Sequence, residues 1–318
     1  MLETDRTVAY SRTMHSDYRH AHRHSALAHG VKLYLRILRR KHILTKEMLT
    51  GRIPQHAAPV PASLKKRFRF THHAFRDHGF WTVAPEKQQS TQSETTVVYM
   101  HGGAYVHNMT RYHWDLIGAL AGKTGARFLV PDYPLAPTHT CDDVYEFMHA
   151  MHADVISSVA PKRMILMGDS AGGGIALGLS EEWKDAKIRP RQTILISPWL
   201  DTTLSHPAVD EVSRHDFMLS ADGLRLAGKA YAGALPDDHH RHSPKHARLN
   251  GVAPISLFTG THDVLYPDIV ELRDRLRRQA HPVRYFEYPQ MFHVWPAVTA
   301  LHEARHAIDQ MAALIREG

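Results

Sequence analysis

One ten-residue stretch restricts the folds open to this chain more than anything else in it: Ile165-Leu166-Met167-Gly168-Asp169-Ser170-Ala171-Gly172-Gly173-Gly174. An apolar strand runs straight into G-x-S-x-G, and the small, apolar run Ile175-Ala176-Leu177-Gly178-Leu179 that follows reads as the start of a helix. A serine on so tight a strand-to-helix turn needs flanking glycines, because side chains there would collide with the neighbouring strand and helix. The helix N-terminus beneath the serine also favours developing negative charge. The glycines do not fit a nucleotide site, since no Lys-Ser/Thr closes a phosphate loop and no G-x-G-x-x-G follows the first strand.

That turn recurs within a wider rhythm. Hydrophobic patterning predicts strands at Phe68–Ala74, Phe80–Val83, Thr95–Met100, Arg127–Pro131, Met164–Met167, Thr193–Ser197, Ile255–Thr259 and Val283–Tyr288. Helices are expected between them at about 111–123, 140–158, 171–186, 266–280 and 294–316. Uniformly apolar strands alternating with helices argue for an α/β fold, a mostly parallel eight-stranded sheet covered on both faces. Upstream, Leu27, Val31, Tyr34, Leu35 and Leu38 predict one amphipathic helix over 25–49, ended by Gly51 and the prolines at 54, 59 and 61. Residues 200–250 are too long for a simple crossover and read as an insertion over the carboxyl edge of the sheet, with a helical piece at 221–232.

A nucleophilic serine needs donors for an oxyanion, a base, and an acid to orient that base. Val97-Val98-Tyr99-Met100-His101-Gly102-Gly103-Ala104-Tyr105 is a strand ending in a glycine pair, so Gly102 and Gly103, with the N–H of Ala171, are the expected oxyanion donors. Histidine is too abundant, at 27 residues, for composition to select the base, so position decides. Two predicted strands end in equivalent loops, one carrying Asp263 and the next carrying His293. The order Ser170, Asp263, His293 is that of α/β-hydrolases. Asp268 competes as the acid, and His262 adjoins Asp263.

Together these motifs resemble the hormone-sensitive-lipase-like group of α/β-hydrolase carboxylesterases: H-G-G-A-Y at 101–105, D-Y-P-L-A-P at 132–137, G-D-S-A-G-G at 168–173, D-V-L-Y-P-D at 263–268 and M-F-H-V-W at 291–295. They stand in family order and span about 65–316. The resemblance implies an α/β-hydrolase fold with a helical cap. It makes Ser170 the nucleophile, His293 the base and then acid, Asp263 its orienting partner, and His101 a brace for the oxyanion loop. It divides the chain into an N-terminal cap segment at 1–62, core at 63–199 and 251–318, and a cap insertion at 200–250. The sequence departs from the family at Ala104, where many relatives have a third glycine. It departs again at Tyr133-Pro134-Leu135-Ala136-Pro137-Thr138, which lacks the Arg and Glu of Y-R-L-A-P-E, so support for the oxyanion loop must come from elsewhere.

Tyr105, Trp199, Phe217, Met218, Leu219, Val264, Leu265 and Val294 flank the expected catalytic loops and are candidates to line an apolar pocket for an uncharged acyl chain. His20-Ala21-His22-Arg23-His24 and His239-His240-Arg241-His242 look like metal ligands at a glance, but no carboxylate cluster accompanies them. No metal and no cofactor are expected. The net charge of +7 is uneven: residues 1–80 carry 16 Lys/Arg against 5 Asp/Glu, while the rest is slightly acidic. No recognisable nucleic-acid module accompanies that basic segment, so nucleic acid is not an expected partner.

The single Cys141 forms no internal disulfide, the polar start at residues 1–6 has no secretory core, and no run reaches the length of a membrane span. A cytoplasmic protein is expected, with a homodimer among the assemblies left open. The best-supported activity is a serine carboxylesterase for short-chain esters. An amidase or deacetylase with the same triad stays open, and so does a binding protein that uses the basic segment. Activity on aggregated long-chain lipid is disfavoured, because the charged, His-rich cap segments show no apolar landing surface.

Overall fold

The computed structural model of the chain describes residues 15–21, 24–86, 95–185 and 188–317. His22, a member of the first histidine group, and the polar start at residues 1–6 lie outside the described residues. Nine strands form one sheet: β1 (His15–Arg19), β2 (Phe68–Phe75), β3 (His78–Pro85), β4 (Thr96–Met100), β5 (Arg127–Asp132), β6 (Met164–Asp169), β7 (Gln192–Ile196), β8 (Ile255–His262) and β9 (Val283–Phe292). Their order is β1-β9-β8-β7-β6-β4-β5-β3-β2, antiparallel only where β3 meets β2 and β5. The expected eight strands are all present. The ninth, β1, comes from the segment expected as cap and pairs in parallel with the edge strand β9.

The helices are α1 (Ala26–Ile37), α2 (Ile43–Thr50), α3 (Ala62–Lys65), α4 (Arg111–Thr124), α5 (Cys141–Asp154), α6 (Ala171–Asp185), α7 (Val209–Ser213), α8 (Ala221–Ala232), α9 (Tyr266–Arg278) and α10 (His302–Arg316). They divide between the two faces of the sheet, which explains the unbroken apolar strands. In β4, Val98 and Met100 enter one core while Val97 and Tyr99 enter the other, and in β6 Met164 and Leu166 oppose Ile165 and Met167.

Two predicted helices are divided. The helix expected over 25–49 breaks after Leu38, where Arg39 adopts a left-handed φ of 49° and ends α1. The one expected over 294–316 breaks because Val294 has φ 49°, leaving a short turn at Trp295–Ala297 before α10 begins at His302. α2 packs on α8 of the 200–250 insertion, where Thr45 Oγ1 lies 2.8 Å from Ser220 Oγ, the N-cap of α8. This helical layer meets the loop after β4 through Glu47 and His107, and the insertion meets the loop after β8 through Asp216 and Val264. No helix among the described residues is long and apolar enough to cross a membrane.

Candidate active site

Ser170 stands between β6 and α6 with φ 53°, a left-handed conformation that costs a non-glycine residue on the order of 1 kcal/mol and persists only where the surroundings enforce it. Here the end of β7 enforces it. Ser170 N donates to Ile196 O (2.9 Å), and Trp199 N donates to Ser170 O (2.9 Å). Gly172 shows why the turn needs glycine: a Cβ there would lie 2.1 Å from Met100 O, so α6 could not approach β4.

The loops after β8 and β9 meet beside this elbow. His293 Nδ1 lies 2.9 Å from Asp263 Oδ2, and the other oxygen of Asp263 accepts from Leu265 N (3.0 Å). Val294 N donates to Ser197 Oγ (3.2 Å), which ties the histidine loop to the same segment that holds Ser170. Burial alone would lower the pKa of His293, but the charge and hydrogen bond of Asp263, with the charges of Asp216 and Asp169, outweigh it and the pKa is raised. Among the described residues Ser170 Oγ has no hydrogen-bond partner. Unliganded sites commonly leave this contact long, to tighten when substrate binds. The competing acid, Asp268, faces Lys245 (3.8 Å) and the charge of Asp201 instead. His262 stacks on His215.

A second buried carboxylate stands in the same place, and the sequence reading did not find it. Asp216 Oδ1 accepts from Met218 N (2.7 Å) and Leu219 N (2.9 Å), and its Oδ2 accepts from Val264 N (2.8 Å). It therefore bonds the 200–250 insertion to the loop that carries Asp263. Burial, then the charge of Asp263, pushes its pKa up to about 6. The available cue was Asp216 followed by Ser220, a side chain capping its own loop just before a helix N-cap.

The oxyanion loop requires a correction. Gly102 N–H donates to Asp169 Oδ1 (3.0 Å), so it is not free for substrate. The amides of Gly103, Ala104 and Ala171 donate to no acceptor among the described residues, and neither does that of Tyr105. Gly102 therefore leaves the expected set of Gly102, Gly103 and Ala171, and Gly103, Ala104 and Ala171 stand as the candidate donors.

Support for that loop, which the missing Arg and Glu left unexplained, comes from several side chains. Tyr133 Oη donates to His101 O (2.6 Å) and its ring stacks on His101 at 4.4 Å. Gln55 Nε2 donates to Val106 O (3.2 Å) and Ala136 O (2.8 Å), and His107 pairs with Glu47 (2.8 Å). Asp169 also accepts from Tyr99 Oη (2.6 Å) and lies 3.4 Å from His113. Burial would raise the pKa of Asp169, but His113, Tyr99 and His101 together lower it. Burial and His113 push His101 down to about 4, so its imidazole is neutral near neutral pH.

The candidate pocket residues separate into two groups. Trp199, Val264 and Leu265 are fully buried core and present no surface to a substrate, which corrects their expected role. Tyr105 is also buried, its ring 3.6 Å from and parallel to that of Tyr231, with Trp199 at 5.1 Å on the oxyanion side of the core. Phe217, Met218 and Leu219 keep accessible surface, and Val294 keeps a little. No group of three or more potential metal ligands occurs among the described residues. His240 and His149 both bond Glu182, at 2.8 and 2.5 Å, together with Arg241.

A family model described as alpha/beta hydrolase fold matches residues 97–297. The chain is 30% identical over 228 residues to an acetyl-hydrolase of Streptomyces hygroscopicus, covering 71% of this chain and 76% of that protein. It is likewise 30% identical to an esterase of Acinetobacter venetianus, covering 72% of this chain and 78% of that protein. A solved hormone-sensitive lipase from a metagenome library superposes with a TM-score of 0.77 at 22% identity, covering 91% of this chain and 97% of that one.

Proposed function

The chain belongs to the α/β-hydrolase family, among hormone-sensitive-lipase-like carboxylic ester hydrolases, and from that premise we propose that it is a serine carboxylesterase for short-chain acyl esters working through Ser170, His293 and Asp263. The observation that carries the reading is the 2.9 Å bond between His293 and Asp263, made next to a serine held in the left-handed turn.

In the proposed reaction, Ser170 Oγ attacks the ester carbonyl carbon as His293 Nε2 takes its proton. The carbonyl oxygen becomes an oxyanion facing the amides of Gly103, Ala104 and Ala171. Collapse breaks the bond to the alkoxy oxygen, His293 returns the proton to it, and alcohol leaves. Water, deprotonated by His293, then attacks the acyl-enzyme, and the acid departs as Ser170 regains its proton. Asp263 keeps Nδ1 protonated and stabilises the imidazolium, remaining ionised throughout.

The short-chain preference is supported by the name of the acetyl-hydrolase relative. The test is a panel of p-nitrophenyl esters from acetyl to palmitoyl, assayed with the wild type and Ser170→Ala. Activity should peak at about four carbons or fewer, and the variant should lose about 10⁴-fold in kcat, keeping only the contribution of the hole and of binding. A variant retaining a few per cent of activity would exclude Ser170 as the nucleophile.

A further inference from the structure

Among the described residues seven large hydrophobic side chains are exposed, and six of them lie between residues 27 and 49: Leu27, Leu33, Tyr34, Ile37, Leu38 and Leu49. Five belong to α1 or its C-cap. With 100° between successive residues, the apolar positions of α1 form one continuous arc of about 220°, which divides into an inner part and an outer one. Ala28, Val31 and Leu35 form the inner one and pack into the core. Leu33, Ile37, Tyr34 and Leu27 form the outer one, at 49–69% exposure, and no element among the described residues covers it.

This stripe overturns the expectation that the cap offers no apolar landing surface. An exposed apolar stripe is costly unless something covers it, and its flanks indicate what does. Residues 36–52 hold six Lys/Arg against the single acid Glu47, and Glu47 is turned inward onto His107. Arg36, Arg39, Arg40 and Lys46 are all exposed beside or just beyond the stripe.

A second copy of this chain fits such a surface poorly. A two-fold contact with α1 parallel to its copy would bring the same arginines face to face, and an antiparallel one would set them over a helix start that offers no acidic residue. An anionic phospholipid surface complements both features, since apolar side chains enter the acyl boundary while arginines meet phosphates. Twelve residues give a helix about 18 Å long, too short to span a bilayer but sufficient to lie in its interface.

The helix is also fixed relative to the catalytic loops. At its start Ser25 donates through N (2.6 Å) and Oγ (2.9 Å) to Glu303 of α10. Beyond its end Lys41 donates to Ser213 O, and Thr45 meets Ser220, four residues after Asp216. We propose that α1 is an interfacial docking helix, which lays Leu27, Leu33, Tyr34 and Ile37 into an anionic phospholipid surface and holds the site toward that surface.

The test uses the purified full chain and sedimenting vesicles, with no substrate, so its outcome is independent of the esterase reading. The wild type should pellet with vesicles containing phosphatidylglycerol, far less with pure phosphatidylcholine, and less as salt is raised. Leu33→Glu/Ile37→Glu should weaken binding by at least about tenfold, and Arg36→Ala/Arg39→Ala/Arg40→Ala should weaken it on the anionic vesicles alone. Both variants should retain wild-type hydrolysis of a dissolved acetyl ester and an unchanged far-ultraviolet circular dichroism spectrum. Failure of the wild type to pellet with anionic vesicles at low salt overturns the proposal. So does binding that neither variant weakens. A wild-type dimer that becomes monomeric in the double variant, without vesicle binding, would assign the stripe to a second copy instead. A wild type that binds vesicles but hydrolyses no ester would count against the esterase reading and leave this one standing.

Discussion

Replacing Gly102 with alanine tests how the oxyanion loop is held. A Cβ at this position would lie 2.2 Å from Asp169 Oδ2 and 3.0 Å from Ser170 Cβ. Ordinary contact begins near 3.4 Å, so more than 1 Å of separation must be found. Asp169 cannot supply it. Its carboxylate is buried and fixed by Tyr99 at 2.6 Å, with His113 at 3.4 Å. Ser170 cannot supply it either, because its backbone is bonded on both sides to the end of β7. The loop itself must therefore retreat, taking the amides of Gly103 and Ala104 with it. Displacement of catalytic groups by about 1 Å costs about 10²-fold, and loss of one oxyanion donor costs 10²–10³-fold. Since those amides bind the oxyanion more strongly than the ground-state carbonyl, the loss should fall on kcat and kcat/KM alike, with KM little changed. The assay is steady-state hydrolysis of p-nitrophenyl acetate, with thermal melting as a check on folding. A folded Gly102→Ala variant that keeps more than about a third of wild-type kcat would refute the argument that this close approach positions the hole.

Two further expectations concern pH. Because Asp263, Asp216 and Asp169 raise the pKa of His293 against the lowering effect of burial, the neutral base is lost as pH falls through a value above the ordinary 6.5. The acid limb of kcat/KM for p-nitrophenyl acetate should therefore have its midpoint above 6.5, and a midpoint well below it would contradict this account of the His293 environment. Asp216 bears on stability. A folded pKa of about 6 against an ordinary 3.8 means that the folded state holds the proton more tightly, so this contribution is complete below about 3.8 and is lost as pH rises through 6. The shift corresponds to about 3 kcal/mol. Denaturant unfolding of the wild type and Asp216→Asn at pH 4 and pH 7 should show the wild type losing more stability over that interval, and equal losses would refute the assignment.

What the sequence revealed and what it hid have separate physical causes. The strands β4 to β9 were readable because both faces of the sheet are covered there, so each holds an apolar run bounded by turns, whereas β2 and β3 are half-exposed and were legible from their aromatic residues on either side of a turn. β1, His15-Ser16-Asp17-Tyr18-Arg19, carries no such run, since an edge strand needs only one good neighbour and is kept polar. The break after α1 was hidden because Arg39 takes a left-handed φ without glycine or proline to mark it. Ser170, Asp263 and His293 could be located because each follows a strand whose end is visible in the pattern. Which amides face the oxyanion was not, because Gly102 is withdrawn by Asp169 across two neighbouring strands. The core role of Trp199, Val264 and Leu265 was equally invisible, since the same apolar residues serve a pocket or a core and only packing separates them.

The two buried carboxylates that sequence reading left without a role place the catalytic loops under different controls. Asp169 binds the oxyanion loop to the serine elbow, and its lowered pKa keeps it ionised well into the acid range. Asp216 binds the 200–250 insertion to the acid loop with three backbone donors, yet the neighbouring Asp263 and its own burial raise its pKa to about 6. On acidification Asp216 therefore takes up its proton first, and a neutral carboxyl holds three N–H groups less tightly than a carboxylate does. Those hydrogen bonds lose the charge of their acceptor, relief of burial and of repulsion by Asp263 more than offsets that loss, and the oxyanion loop stays bonded to an ionised Asp169. The oxyanion loop thus keeps a charged tie through the pH range in which the tie of the insertion, which carries Met218 and Leu219, changes its protonation.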